Sequence, residues 1–174
     1  MKTLNRISSD AAAHTAAPAM PVAPRVFGAT REQQAFSIEW AAGFLDGEGC
    51  IHIARQTYRG KRSATYVLRV YIVQNNREVL EHFRDGVCID ARIYKVKRLT
   101  AHNKQVYTLN FQGKKALALI AMLAPHLVRK REEAQVAMTY WVEGRVGLRP
   151  GPKGLPPELV ATRERLYLKL RSLK

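Results

Sequence analysis

The sequence predicts an α+β fold in which two hairpins form an antiparallel sheet with helices over one face. Three observations carry this. Residues 50–56, 65–74, 92–99 and 104–111 alternate apolar and polar side chains, the period of a half-buried strand. Polar turns at 57–64 and 100–103 join these stretches into two pairs. Segments of helical spacing precede, separate and follow the pairs, so the order is helix, strand, strand, helix, strand, strand, helix, helix. The second face of such a sheet stays uncovered, which suits a binding surface.

Residues 1–30, centred on AAAHTAAPAMPVAP, read as a disordered extension, and no sustained apolar stretch supports a secretory signal. Thr30 and Gln33 read as the start of a helix over 31–47. In 50–56, Ile51 and Ile53 oppose His52, Ala54 and Gln56. After the basic turn TYRGKRSA, Tyr66, Leu68, Val70 and Ile72 share one strand face, and Thr65, Val67, Arg69 and Tyr71 the other. Asn75 and Glu78 read as the cap of a short helix that Gly86 ends. The strand 92–99, RIYKVKRL, is strongly basic, and its alternation leaves the side taken by Lys95 and Lys97 open. In 104–111, Tyr107, Leu109 and Phe111 read as core. Residues 114–124 form an apolar helix stopped by Pro125, and 127–143 form another, completing a core domain over 31–143. Residues 144–174 add a Gly/Pro/basic loop and a last helix with Leu159, Leu166, Leu170 and Leu173 at helical spacing.

The 174 residues carry 29 Lys and Arg against 14 Asp and Glu, a net charge of +15, which suits a nucleic-acid backbone or another polyanion. At 47% hydrophobic the chain has material for a core. No apolar run approaches the roughly eighteen residues of a membrane-spanning helix, so no membrane partner is expected. Cys50 and Cys88 lack C-x-x-C spacing, which argues against structural zinc and for reduced thiols in an intracellular protein, bacterial or organellar. No G-K-[ST] phosphate loop is present. His102 and Asn103 stand without the partner histidine of a His-Asn-His nuclease.

The chemistry concentrates in residues 40–51, WAAGFLDGEGCI. Gly43 and Gly47 stand four apart, so on a helix they share one face and leave a groove that another backbone can approach. Asp46 and Glu48 follow at the helix C-terminus, where the macrodipole disfavours negative charge. Acids so placed need a positive partner, a metal ion or a lysine.

Residues 41–49, AAGFLDGEG, resemble the signature of the LAGLIDADG homing endonucleases, with the Ala-Gly pair, Asp46, Glu48 and the last glycine in register. The resemblance implies the αββαββα fold of that family, with a saddle-shaped sheet, over residues 35–143. It also implies a site-specific endonuclease that makes a double-strand break in a long, near-palindromic DNA target. Mg²⁺ is the implied cofactor, with Mn²⁺ or Ca²⁺ as substitutes for binding. Glu48 would be the direct metal ligand, with Gly47 beside it, and Asp46 would hold the helix end. The second strand ends in VYIVQ, which places Gln74 at the family's water-orienting position. Counting back from Pro125 puts the family's catalytic lysine at Lys114, with Lys115 one residue away, and Arg77 is a weaker candidate for the same electropositive wall.

A search for a second A-G-x-x-D-x-[DE]-G in the chain finds none, so one active centre requires two chains. The implied homodimer meets through Ala42, Gly43, Asp46 and Gly47, an isologous contact. Base reading is expected from the open sheet face. The residues expected to touch DNA are His52, Gln56, Thr65, Arg69, Tyr71, Lys95, Lys97, Arg98, Lys104 and Thr108, with Tyr58, Arg59, Lys61 and Arg62 at the hairpin tip. The alternative function is an RNA maturase that assists intron splicing on the same scaffold, with intron RNA as partner. A DNA-binding regulator ranks last, because both acids are intact.

Overall fold

The computed structural model describes residues 36–57, 64–97, 104–148 and 154–174. Helix α1 (Ile38–Glu48) is capped by Ser37, whose hydroxyl accepts from the Trp40 amide at 3.1 Å. The helix therefore starts later than Thr30 and Gln33 suggest; those two residues, like the extension 1–30, lie outside the described residues. Strands β1 (Gly49–Gln56) and β2 (Thr65–Gln74) pair in antiparallel register with Ile51 opposite Val70 and His52 opposite Arg69. Both match the alternation in the sequence.

Helix α2 (Arg77–Val87) begins at an Asn76 cap, where Oδ1 accepts from the Glu78 amide at 2.9 Å. Gly86 does not end it. Cys88 does, in a left-handed conformation with φ 53°. Gly86 lies within the helix because the Phe36 ring fills the space a Cβ would take, 1.9 Å from a ring carbon. Strands β3 (Arg92–Lys95) and β4 (Tyr107–Gln112) are shorter than the basic and alternating stretches around them. Helix α3 (Lys114–Leu123) runs into a 3₁₀ turn (Ala124–His126), and α4 (Arg131–Glu143) and α5 (Pro157–Ser172) follow.

Among the described residues the sheet has four strands in the order β1-β2-β4-β3, every pairing antiparallel. One face is core: Ile51, Leu68, Ile72, Leu109 and Phe111 are fully buried against helix residues such as Leu45, Phe83 and Leu119. The opposite face carries no covering helix layer among the described residues, as the element order predicts.

Helix α5 is anchored to this core. Leu159, Leu166 and Leu170 are buried, as their spacing predicts, and Leu173 packs beside them. The buried Arg163 joins α5 to the end of α4, donating from Nε to the Gly144 carbonyl at 2.7 Å and from Nη2 to that of Arg145 at 3.1 Å. Glu164 accepts from Arg55 at 3.2 Å and from the Tyr66 hydroxyl, which fixes α5 along β1.

Replacing Leu170 by Ala is expected to cost about 2–5 kcal/mol in urea unfolding, as for a fully buried leucine. A loss within about 0.5 kcal/mol, the range of surface substitutions, would mean that α5 is not part of the cooperative unit.

Candidate active site and nucleic-acid interface

The C-terminal end of α1 is held by one carboxylate. Asp46 Oδ2 accepts from the amides of Val128 at 2.7 Å and Arg129 at 3.1 Å, and Oδ1 accepts from that of Lys130 at 2.9 Å. The Asp46 carbonyl in turn accepts from Arg129 Nη1 at 3.1 Å and from the Lys130 ammonium. These bonds explain why α4 begins at Arg131 instead of 127. The amides of 128–130 point at Asp46, so an acid from α1 caps the helix that follows. Burial works to raise the Asp46 pKa, but the three amides and the Lys130 charge outweigh it and hold the carboxyl below its ordinary value. The resemblance gives Asp46 the task of holding the helix end, and its carboxylate accepts these bonds within its own protomer.

Glu48, two residues on, is exposed. Gly49 follows because a Cβ there would lie 2.3 Å from Leu45 Cδ1 and 2.7 Å from the Leu45 carbonyl oxygen, to which the Gly49 amide donates. At Gly43 and Gly47 a Cβ would meet nothing within 4 Å, and both glycines lie exposed on one side of α1. This is the bare groove their spacing implies. Ala42, grouped with them in the sequence, is instead fully buried in the core and has no surface to offer a partner.

Gln74 stands two residues past Ile72, the partner of Gly49, so it lies at the same end of the sheet as Glu48. Lys114 does not. It follows Gln112, which pairs with Arg69, five residues and about 17 Å along β2 from Gln74. Lys115 is also remote, paired with Asp90 at 2.7 Å. The lysine at the acidic end is Lys130, which is 3% exposed. Burial first, then the neighbouring Arg129 charge, lowers its pKa. Reading 127–143 as one continuous helix hides Lys130 on a helix flank. The acid pair Glu132 and Glu133, which suits a first helical turn, is the signal for the later start. Arg77 pairs with Glu81 at 2.9 Å on α2.

Paired residues of an antiparallel sheet project to the same side, so the register sorts the expected DNA contacts. His52, Gln56, Thr65, Arg69, Tyr71 and Thr108 fall on the open face, opposite in parity to the buried strand residues. For β3 the register settles what alternation leaves open. Arg92 and Tyr94 pair with Asn110 and Thr108 and take the open face, whereas Lys95 pairs with Tyr107 and takes the helix side. Lys97 is exposed beyond β3, and Lys104 is exposed before β4. Asn110 and Gln112 also reach the open face, and simple alternation with Leu109 and Phe111 would find them. Tyr58, Arg59, Lys61, Arg62 and Arg98 lie outside the described residues.

The electrostatics of the open face are those of a crowded polar surface. The His52 and Tyr71 rings meet edge to face at 5.1 Å. Burial, with the Lys174 and Arg69 charges, lowers the His52 pKa to about 4, so the imidazole is neutral at pH 7. A hydrogen bond with Cys50, together with burial, raises the Tyr71 hydroxyl to about 12.

Among the described residues no three His, Cys, Asp or Glu side chains cluster as a metal cage. With Asp46 committed to backbone amides, Glu48 is the carboxylate of the motif that remains to face a metal. This donor set fits Mg²⁺, which takes one or two protein carboxylates and completes its shell with water and phosphate.

No protein-family model and no curated protein matches this sequence. Solved structures match its fold. The homing endonuclease I-CvuI, in complex with its target in the presence of Ca, matches with a TM-score of 0.63 and 19% identity over 79% of this chain and 81% of that one. The archaeal intron-encoded homing endonuclease I-Vdi141I, complexed with DNA, gives 0.63 and 20% over 79% and 83%. The homing endonuclease I-TnaI gives 0.55 and 20% over 80% and 99%. The LAGLIDADG homing endonuclease I-GzeII, in complex with its DNA target, gives 0.59 and 14%, and this chain covers 44% of it. The chain has the fold of the LAGLIDADG homing endonucleases, as residues 41–49 imply.

Replacing Asp46 by Ala leaves three amides at the start of α4 without their acceptor. It is expected to lower stability by on the order of 2–3 kcal/mol at pH 7, read by urea unfolding. A loss below about 0.5 kcal/mol would mean that α4 does not depend on this cap.

Proposed function

We propose that this chain is a homodimeric, divalent-metal-dependent DNA endonuclease of the homing type, which makes a double-strand break in a near-palindromic site. The observation that carries the reading is the division of labour between the two acids of the motif. Asp46 is spent on the architecture of its own protomer, while Glu48 is exposed beside the bare Gly43/Gly47 groove.

One protomer offers one such carboxylate, and a two-fold contact through the groove brings a second into the same centre. Glu48, with the Gly47 backbone beside it, would hold a divalent metal there, and that metal would supply an activated water and positive charge for the phosphodiester oxygens. The chain's own residues do the rest. Asp46 fixes where Glu48 sits by locking α1 to the start of α4. Lys130, buried and pinned on the Asp46 carbonyl, braces the end of α1 that carries Glu48. Gln74, at the same end of the sheet, brings an amide to orient water. The open sheet face takes the duplex as a ribbon in the major groove, and its neutral and cationic side chains divide between base edges and phosphates. The excess of 29 basic over 14 acidic residues draws the duplex in.

The test uses a duplex recovered by selection from a randomised palindromic library. Glu48→Gln is expected to bind that duplex and stay dimeric while losing cleavage in the presence of Mg²⁺; cutting at the wild-type rate refutes the metal-centre assignment. A Cβ at Gly43 meets nothing within 4 Å and the position is exposed, so Gly43→Leu is expected to fold, sediment as a monomer and fail to cut. A monomeric variant that still makes double-strand breaks refutes the shared centre.

A further inference from the structure

Helix α5 runs antiparallel to β1 along the edge of the sheet: Glu164 reaches Arg55, and Lys174 reaches Cys50. The two elements do not close on one another. Between them lies a cleft of about 430 Å³, walled by residues 52–56 of the strand and by Tyr167, Leu170, Arg171 and Lys174 of the helix. No acid lines it. Arg55 is neutralised by Glu164 at 3.2 Å. Arg171 has no partner among the described residues, and Lys174 donates to the Cys50 sulfur at 2.7 Å, a weak acceptor. The α5 dipole ends in roughly half a negative charge, so most of these two positive charges is left over. The Lys174 charge reaches the wall of the cleft: after burial, it is the next cause that lowers the His52 pKa to about 4.

The lining says what such a cleft can hold. Two leftover cations match a phosphate monoester, with a charge of about −1.5 to −2 at pH 7, better than the single charge of a diester. Arg171 offers a planar fork for two oxygens, and Lys174 a mobile ammonium. The cleft has room for more than a phosphate, since pockets of about 300–1,000 Å³ take small organic ligands. Its other walls suit a planar heterocycle. Tyr167, held in a tilted contact with Tyr66 at 6.1 Å, supplies aromatic surface of the kind on which bases stack. As the edge strand, β1 turns the backbone N–H and C=O groups of alternate residues away from β2 and toward α5, and a base edge pairs with such groups.

We propose that the cleft between β1 and α5 binds a free nucleoside monophosphate, with its phosphate on Arg171 and Lys174 and its base between Tyr167 and the strand edge. The site goes beyond the endonuclease reading and does not depend on it.

Calorimetric titration of the full chain, without DNA or added metal, tests it at about 0.15 M salt, where exposed charges are largely screened. The probes are the 5′-monophosphates of adenosine, guanosine, cytidine and uridine, with inorganic phosphate for comparison. At least one nucleotide is expected to bind at one equivalent per chain with a Kd below about 1 mM, and inorganic phosphate at least roughly ten-fold more weakly. Arg171→Gln and Lys174→Gln each remove a charged donor at an exposed position, so both should fold and each should weaken the nucleotide by roughly ten-fold. Lys169→Gln, exposed on the same helix but outside the cleft, should leave binding unchanged.

An equal loss from Lys169→Gln overturns the proposal, because the nucleotide would then be drawn by the basic surface at large. Inorganic phosphate that binds as tightly as every nucleotide overturns it too, since the cleft would read charge alone. So does the absence of binding by any of the four nucleotides. None of these outcomes bears on cleavage, which the Glu48→Gln and Gly43→Leu variants test separately.

Discussion

The local structure of the centre depends on the Asp46 carboxylate. By accepting from three consecutive amides it joins the C-terminal end of α1 to the start of α4, so the negative pole of one helix dipole meets the positive pole of another. An acid badly placed for α1 is well placed for α4. The same arrangement delays α4 to Arg131, brings Arg129 and Lys130 to the end of the motif and leaves Glu48 exposed. Positions that are three separate elements in the sequence thereby become one centre.

The sheet adds a second level of order. Its pairing register assigns the paired strand residues to the helix side or to the open face, and the strand residues buried on the helix side are apolar, with Arg55, Gln74 and Lys95 at its margins. Helix α5 stiffens this platform from outside the hairpins. Its Arg163 satisfies carbonyls at the end of α4, and its Glu164 holds both Arg55 and Tyr66. An uncovered sheet face gains from such support, since a rigid strand places a side chain more accurately than a loop.

Most of the element order is legible in the sequence, because β1, β2 and the α5 leucines carry clean periodicities that the tertiary structure preserves. The discrepancies have physical causes. The start of α4 escapes local reading because a hydrogen-bonding partner 82–84 residues away overrides helical spacing. Gly86 looks like a helix stop, but it is small for the sake of Phe36, and Cys88 takes the left-handed turn. Lys114 matches a family position by counting from Pro125, yet the register carries it away along β4, and Lys130 stands at the acidic end instead. The facing of Lys95 depends on its pairing with Tyr107, and a single strand of alternating Lys, Tyr and Val holds no information about that partner.

The manner in which the two sheet edges end has a consequence for how copies of the chain meet. Along β1 the edge is lined by α5, which reaches Arg55 through Glu164, while Lys174 just beyond the helix reaches Cys50. The opposite edge is the four-residue β3, which carries Arg92 and Lys95. A short, charged edge is a poor template for an added strand, and a covered one offers no template. Strand-to-strand association, the usual route by which open sheets aggregate, is therefore disfavoured at both described edges. Among the described residues the bare surface left for a second copy is the glycine groove of α1, the place where the proposed two-fold pairing would form.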